Sequence, residues 1–444
     1  MAGLFDAMNT SVTGLTAQAT AMGNISNNIA NAQTTGYKAD DTSFADLVNQ
    51  SGLTSDGGGA GAIAISGYDV ASQGTLTATN TATNLGISGN GFFAVESGST
   101  NASGGITFTG NQEYTRRGDF SMNAQGYLVN GVGSYLEGYA VSPSTNTVDT
   151  SALVPIQISH APNAPVATSS VSLDANLPSN AASGSTLSPT TLQVYDANGN
   201  SHSIQLNWTQ TGTGQWAAEM KIPDAVGGFD NTLDLGFGTG AAGTTSGTIQ
   251  SMANASGSTA FTVPTGAAAA AGKPAQASFT VDFGSGPQTI SLNLGTFNQA
   301  TGLTQFSSSD QQVDVSSVNQ NGLPQGNFQN VSIDQSGNVA INYSNGQSQT
   351  VYQVPLATFS NPDGLQADSG GVWSQTQDSG TAHIGSAGLN GAGSMQSGET
   401  ENSNVDLTGE FTKMIQTQQV YSANSRAITT ANQMLEDLLS IVHP

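Results

Sequence analysis

The sequence predicts a multidomain α+β protein with terminal α-helices forming a coiled-coil-like inner core and mainly antiparallel β outer domains nested by insertion. Three observations lead to this fold class. Apolar residues with a seven-residue period occur at both ends of the chain, alternating apolar runs with turn signals fill the middle, and low-complexity runs rich in Gly and Ala concentrate between residues 161 and 326. A length of 444 residues is sufficient for two or three domains.

Helices are predicted at the two ends because large apolar residues recur there in heptads. The pattern covers residues 4–29 at the N-terminus, and a second charge-poor segment shows it near the C-terminus. We expect these residues to pack as a seam in an assembly. They are Phe5, Met8, Val12, Leu15, Met22 and Ile29 in the first helix, and Phe411, Met414, Tyr421, Ile428, Leu435, Leu439 and Val442 in the second.

The N-terminal helix is intrinsically weak. Gly3, Gly14 and Gly23 lower its helix propensity, and Asp6 is its only charged residue, so no ion pair one turn apart supports it. We therefore expect both ends to gain their helical shape from packing. A hairpin of helices inside one monomer and packing between subunits both fit the pattern, and the polar amides and hydroxyls at seam positions favour assembly.

The middle of the chain is predicted to be nested β structure. Asn198-Gly199 and Asn345-Gly346 are strong hairpin signals, and the apolar residues around the first of them fall at the spacing of two that a half-buried sheet requires. Those residues are Leu192, Val194, Ile204, Leu206 and Trp208. The expected domains are a helical core (1–33 and 404–444), an extended Gly-rich connector (34–75), a discontinuous inner β domain (76–160 and 327–403) and an inserted outer β domain (161–326).

Composition excludes several classes of function. Only 8% of the residues are charged, and 7 Lys and Arg stand against 30 Asp and Glu, giving a net charge of −23 that repels phosphate backbones and anionic lipid. We therefore expect neither nucleic acid nor membrane partners. The chain has no cysteine, which excludes disulfides and thiolate chemistry. The N-terminus does not read as a cleaved signal peptide, although the composition is typical of secreted β proteins.

No catalytic, cofactor or metal site is predicted. "GAAAAAGK" at 266–273 has one residue too many between its glycines for a phosphate-binding loop, and "DANGN" at 196–200 fits a hairpin turn better than a calcium loop. The Asp40-Asp41 pair is expected to be a loose surface carboxylate pair, and Arg116-Arg117 to form ion pairs. Surface positions are expected for the histidines, which are His160, His202, His383 and His443.

The two ends of the chain carry motifs that resemble those of the flagellar rod and hook family of axial proteins. "NNIANAQTTGYK" at 27–38 is similar to that family's N-terminal signature, and "SNVDLTGEFTKMIQTQQVYSAN" at 403–424 is similar to its C-terminal one. Gln419 departs from the pattern, because many members carry a basic residue there. The matching residues are Asn28, Asn31, Thr35, Gly36, Tyr37 and Lys38, together with Asn404, Asp406 and Leu407.

The internal stretch "NLGISGNGFFAV" is similar to the family's inner β-domain segments, and "SNGQSQTVYQVPLATFSNPDGLQ" resembles a segment typical of its hook members. The resemblance implies a non-enzymatic subunit without cofactors that polymerises with its own copies into the curved tube of the hook. It also implies contacts with the distal rod protein, the hook–filament junction protein, the hook cap and the hook-length control protein, and export by the flagellar type III apparatus without a cleaved signal. A distal rod protein and a secreted adhesive or carbohydrate-binding β protein are the alternatives.

In this family context, "NNIANAQTTGYK" is predicted to be the corner at which the first helix ends and the chain turns toward the β structure. Asn and Thr side chains can satisfy the backbone groups at a helix end, and Gly36 can adopt a positive φ that redirects the chain.

Overall fold

The computed structural model describes residues 2–46, 61–101, 104–240 and 244–442, without the side chains of residues 2–4 and 438–442. The chain forms two compact units. The helical–β unit comprises residues 1–160, 329–342 and 348–444, and the insert unit comprises residues 161–328 and 343–347. Two long terminal helices and many short strands make the fold a multidomain α+β fold, as the sequence predicts.

Two helices, α1 (Ala2–Ala30) and α2 (Leu407–Val442), pack against each other in the helical–β unit. Their contact depends on small residues, since a Cβ atom at Gly14 would lie 2.9 Å from the Asn424 side-chain nitrogen. Ala17, Ala21 and Ala431 are buried. Within the described residues, neither helix has a stretch apolar and long enough to span a bilayer.

A β-hairpin follows α1 where the sequence analysis predicted the extended connector 34–75. Strand β1 (Asp40–Asp46) pairs antiparallel with β2 (Ala62–Tyr68), so that prediction is wrong for these residues. The apolar alternation in each strand is short, and the Gly-rich stretch between them conceals the pairing in the sequence. The side-chain amide of Asn24 donates to Thr42 Oγ1 at 2.8 Å and to Ser66 Oγ at 2.7 Å, which ties the hairpin to α1.

The helical–β unit also contains a β core with a cluster of buried aromatic residues, which are Phe92, Tyr114, Phe359 and Trp373. The largest sheet has the order β22-β23-β24-β9-β5-β6-β27-β26, with five further strands paired to it, and a short 3-10 helix lies at Pro362–Gly364. With numbering along the chain, the strands are β3 (Leu76–Ala78), β4 (Leu85–Ser88), β5 (Phe92–Thr100), β6 (Ile106–Thr115), β7 (Ser121–Met122), β8 (Leu128–Val129), β9 (Ser134–Val141), β10 (Val148–Pro155), β22 (Phe328–Ile333), β23 (Asn338–Tyr343), β24 (Ser348–Gln353), β25 (Pro355–Thr358), β26 (Gln366–Asp368), β27 (Val372–Ser374), β28 (His383–Ser386), β29 (Ser394–Ser397) and β30 (Glu399–Glu401).

The insert unit contains two sheets that share one hydrophobic core. The five-stranded sheet, β12 to β16, is antiparallel, whereas in the six-stranded sheet β11 runs parallel to β19 and β20. The strands are β11 (Ser170–Pro178), β12 (Thr190–Tyr195), β13 (Ser201–Gly212), β14 (Gln215–Ile222), β15 (Phe229–Phe237), β16 (Ile249–Asn254), β17 (Phe261–Thr262), β18 (Pro274–Asp282), β19 (Pro287–Thr296), β20 (Leu303–Phe306) and β21 (Asp314–Gln320).

Both predicted hairpins are confirmed. β12 pairs with β13 around Gly199 at φ +84°, and β23 pairs with β24 around Gly346 at φ +80°. In the first turn, Asp196 Oδ1 accepts hydrogen bonds from the backbone N–H groups of Asn198 and Asn200, so "DANGN" is a hairpin turn. The five apolar residues predicted to face the core from β12 and β13 are all buried.

The expectation of surface histidines is wrong for His202. Its imidazole stacks on Phe283 with 4.0 Å between ring centroids, and its two nitrogens lie 3.5 Å from Asp196 Oδ2 and 3.3 Å from Asp224 Oδ2. Both aspartates lie in turns of the insert unit, and the spacing of residues along the chain did not show that they would meet His202. His443 lies outside the described residues. The "GAAAAAGK" segment forms a 3-10 turn at Gly266–Ala269 before β18.

Replacement of Thr190 by Val tests the core of the insert unit. The buried Trp208 indole N–H donates to Thr190 Oγ1 at 3.0 Å, and Val has nearly the same shape but no acceptor. We expect the free energy of unfolding to fall by about 1–3 kcal/mol, because the indole N–H then stays buried without a partner. Urea titration followed by tryptophan fluorescence measures the change. As a control, Thr280→Val removes a hydroxyl from an exposed threonine pair and should change stability by no more than about 0.5 kcal/mol.

Candidate functional site: the junction of the terminal helices with the β structure

The corner after α1 has the backbone geometry that the sequence predicted. Gly36 adopts φ +67°, and a Cβ atom there would lie 2.7 Å from the backbone nitrogen of Arg117. Only glycine therefore fits without moving the main chain. The Gly36 N–H donates to the backbone oxygen of Glu401 at 2.7 Å, which joins the corner to the segment that leads back to α2.

A buried ion cluster lies beside this corner. Glu401 Oε1 accepts hydrogen bonds from Lys38 Nζ at 2.7 Å and from the Gly74 N–H at 2.8 Å, while Glu401 Oε2 accepts from Arg116 at 3.2 Å. The Glu401 and Lys38 side chains are 0% exposed and that of Arg116 is 3% exposed. Burial lowers the pKa of Lys38 and of Arg116, and the Glu401 charge acts in the opposite direction. The cluster joins three distant parts of the chain.

Asn28 forms a second polar node, between α1, β1 and α2. Its Oδ1 accepts from the Asp40 N–H at 2.9 Å and from the Tyr37 hydroxyl at 3.1 Å, and its Nδ2 donates to the Asp40 carbonyl and to Glu410 Oε2. The side chain is 1% exposed, so all four bonds lie out of water. Burial, followed by the charge of Asp40, raises the pKa of Tyr37 to about 12, which keeps the phenol protonated as a donor.

The other motif residues lie around these two clusters. Asn404 Oδ1 accepts from the Ala39 N–H at 2.8 Å, and Asp406 Oδ1 accepts from the Thr408 N–H at 3.0 Å at the start of α2. Asn31 and Thr35 line a cavity of about 390 Å³ next to Trp373. Leu407 is exposed. The structure therefore brings Asn28, Gly36, Tyr37, Lys38 and Asn404 together in one junction.

Sequence reasoning missed two residues, Glu410 and Glu401, the second of which is the pairing partner of Arg116. Arg117 pairs with Asp119 at 2.8 Å, a contact two residues away, but Arg116 pairs with a residue 285 positions away. Asp40, expected to be a loose surface carboxylate, is 8% exposed at the start of β1. The composition indicated that such a partner exists, because Arg116-Arg117 is a basic pair in a chain with only 7 Lys and Arg against 30 Asp and Glu.

Within one chain, the predicted seam is only partly buried. Large apolar side chains carry the heptad signal, but a close approach of the two helices is made by Gly14 of α1, whose Cβ position lies 2.9 Å from the side-chain nitrogen of Asn424 on α2. Phe5, Val12, Phe411 and Tyr421 are exposed, and the side chains of Leu439 and Val442 lie outside the described residues. The half-buried members are Met8, Leu15, Met22, Ile29, Met414, Ile428 and Leu435.

Four family models match successive parts of the chain. They are "Flagella basal body rod protein" over residues 8–38, "Flagellar hook protein FlgE/F/G D1 domain" over 86–176, "Flagellar basal body protein FlaE D2 domain" over 166–323 and "Flagellar basal body rod FlgEFG protein C-terminal" over 396–441. The first and last of these contain the junction motifs. The chain has the parts of an axial protein of the bacterial flagellum.

Relatives along the whole chain are more specific. The chain is similar to the flagellar hook protein FlgE of Rhizobium meliloti, with 33% identity over 99% of both chains. It is 32% identical to that of Treponema pallidum, covering 97% of this chain and 98% of the relative, and 30% identical to that of Escherichia coli, covering 98% and 100%. A crystal structure of Helicobacter pylori flagellar hook protein FlgE2 aligns with a TM-score of 0.46 and 14% identity over 72% of this chain and 99% of that one.

The chain belongs to the flagellar hook protein family. It is a structural subunit of the hook, the extracellular segment of the flagellum, and its family is one of structural proteins.

Replacement of Glu401 by Gln tests the ion cluster. The substitution keeps the shape but leaves Lys38 and Arg116 as uncompensated buried cations, so we expect the helical–β unit to lose about 3–5 kcal/mol. Hydrogen exchange at the Gly36 and Gly74 amides, both bonded to Glu401, measures the loss. Asp119→Asn removes a half-exposed ion pair as the matched control and should cost no more than about 1 kcal/mol. Equal protection in the two variants would contradict the central role of Glu401.

Asp40 predicts a pH dependence. Burial, followed by the charge of Asp41, raises the pKa of Asp40, and its Oδ1 has no hydrogen-bond donor among the described residues. The folded state thus holds this proton more tightly than the unfolded state, and the resulting stabilisation is lost as the pH rises through the raised pKa. Asp40→Asn should therefore be more stable than the parent chain near pH 7, and the gain should disappear toward about pH 4.

Denaturant titrations across this pH range measure the effect. Asp46→Asn, at an exposed carboxylate of the same strand that does not act on Asp40, is the control and should show no such pH-dependent gain. A gain of the same size for both variants would show that total charge, and not the burial of Asp40, is responsible.

Proposed function

We propose that the chain polymerises through the faces of α1 and α2 that are exposed in the single subunit, and so forms the curved, flexible tube that transmits motor torque from rod to filament and encloses the export channel. The observation that carries this proposal is the set of large apolar side chains left in water on both helices. Phe5, Val12, Phe411, Ile415 and Val420 are each between 44% and 56% exposed. A soluble protein rarely exposes apolar residues so closely spaced unless another surface covers them.

The predicted seam residues take their role in this assembly. Within one subunit, several large apolar residues of α1 and α2 stay exposed, and in the polymer they are available for helices of neighbouring copies. Burial of a large apolar side chain contributes about 1.5–3 kcal/mol, which supports helices that have weak intrinsic propensity. The predicted disorder of the free ends and their ordering on assembly belong to this proposal.

The division of mechanical roles is also part of the proposal. Helices packed by apolar side chains form a stiff inner wall, whereas the β units, with surfaces rich in Gly, Ser, Thr and Asn, exchange water-mediated contacts as the tube bends. In this proposal, residues 1–33 and 404–444 form the helical wall of the tube.

The remaining partners and the route of export come from the family resemblance. We propose that the polymer meets the distal rod protein at one end and the hook–filament junction protein at the other, and that the hook cap and the hook-length control protein act during growth. Export by the flagellar type III apparatus without a cleaved signal accounts for a cysteine-free chain of secreted-type composition.

The combined substitution Phe411→Gln and Ile415→Gln tests the polymer interface. The two side chains are 51% and 56% exposed, and glutamine keeps a good helix propensity, so we expect the subunit to fold as before. We expect the critical concentration for tube formation to rise roughly tenfold, since apolar burial is lost on assembly. Sedimentation and negative-stain electron microscopy measure polymer, and circular dichroism verifies the fold.

Val226→Gln provides the control, because it changes a residue that is 65% exposed and belongs to the insert unit, so it is part of neither helix. It should assemble like the parent chain. Tubes formed equally well by the helix variant would overturn the role of this helix face.

A further inference from the structure

A groove at the base of the helix pair has the properties of a binding site. It lies among α1, β1 and α2 of the helical–β unit and has a volume of about 240 Å³. One side is apolar, formed by Ala21, Ile25 and the half-exposed ring of Phe44. The other side is polar, and its charged members are Asp40, Asp41, Glu410 and Lys413.

The groove carries an excess of negative charge. Lys413 Nζ donates to Glu410 Oε1 at 3.0 Å and to Asp41 Oδ1 at 3.3 Å. With Asp40, the groove has three carboxylates and one ammonium group, so its formal charge is −2. Asp40 is 8% exposed, and its Oδ1 accepts no hydrogen bond from any described residue. A buried carboxylate oxygen without a donor is costly, and a cationic donor from outside the chain would satisfy it.

One basic residue of the helices is available to bind such a groove, because it has no ion pair within the described residues. Five of the chain's seven Lys and Arg residues form ion pairs with carboxylates of the same chain. The other two are Lys273 in the insert unit and Arg426 on α2, and neither has an ion pair within the described residues. Arg426 is exposed, and it lies thirteen residues beyond Lys413, which is about 20 Å along the helix. It therefore cannot reach the groove of its own subunit.

We infer that the groove of one subunit receives the Arg426 side chain of a second copy of this chain. This inference rests on the proposed polymerisation and specifies one contact within it. The planar guanidinium can donate to Asp40 and Asp41 at once, and the ring of Phe44 offers a face for its cationic plane. Because Arg426 and the groove lie at different heights on the same rigid helix pair, each copy presents a donor and an acceptor, and the contact propagates from copy to copy.

Charge reversal at Arg426 tests the inference in the full-length protein. Arg426 is exposed and has no ion pair among the described residues, so Arg426→Glu should leave the fold of the monomer unchanged. We expect the critical concentration for tube formation to rise about tenfold or more, the effect expected when a close interfacial charge pair becomes repulsive. Arg426→Lys keeps the charge but loses the planar pair of donors, so its critical concentration should lie between those of the parent and of Arg426→Glu. Lys273→Glu, with the same change of charge in the insert unit, should have no effect.

Restoration of assembly identifies the partner. The double variant Arg426→Glu with Asp41→Arg restores an attractive pair between copies, so its critical concentration should return to within about threefold of the parent value. The single variant Asp41→Arg should assemble poorly. Sedimentation and electron microscopy provide the readout, with circular dichroism as the check on folding.

The outcomes separate this inference from the proposed function. Normal assembly of Arg426→Glu, together with failure of the Phe411→Gln and Ile415→Gln variant, overturns the groove contact and leaves the polymer proposal intact. Failure of the double variant to recover shows that Arg426 meets another surface and also overturns the inference. A parent chain that forms no tubes overturns both.

Discussion

The junction of the helical–β unit depends on the carboxylate of Glu401. It lies between two buried cations, and a buried ion pair is tolerable only while both sides keep their hydrogen-bonded partners. Lys38 and Arg116 are 363 and 285 positions away from Glu401 in the sequence. The corner after α1, the strand β6 and the approach to α2 must therefore meet in one arrangement, and the two ends of the chain become parts of the same structure.

The terminal helices follow a different physical rule from the junction that holds them. The junction is polar, buried and complete within one subunit, with Asn28 making all four of its hydrogen bonds. The helices pack against each other but leave several of their larger apolar side chains exposed to water. A single hook subunit thus combines a junction whose polar groups are paired with two helices whose apolar side chains are partly uncovered. Such helices suit a protein that works as part of a polymer.

Local patterns in the sequence were sufficient for the helices, for the hairpins at Gly199 and Gly346 and for the positive φ of Gly36, since period and turn chemistry act over a few residues. The seam stays a prediction, because its residues are at most half-buried in one subunit and the surfaces that would cover them belong to other copies. Glu401 could not be predicted from spacing, because its partners are set by tertiary pairing across most of the chain. Shared motif residues located the junction without revealing this carboxylate.

The corner at Gly36 also has a mechanical consequence. Its α-carbon lies so close to the main chain of Arg117 that no side chain fits between them, and its N–H is bonded to the main chain at Glu401. Load carried along α1 therefore passes into the β structure through peptide groups, which are stiff, as well as through the buried side-chain bonds around Glu401. In the proposed tube the corner acts as a strut, which fits the proposal that the tube bends at the contacts from one molecule to the next.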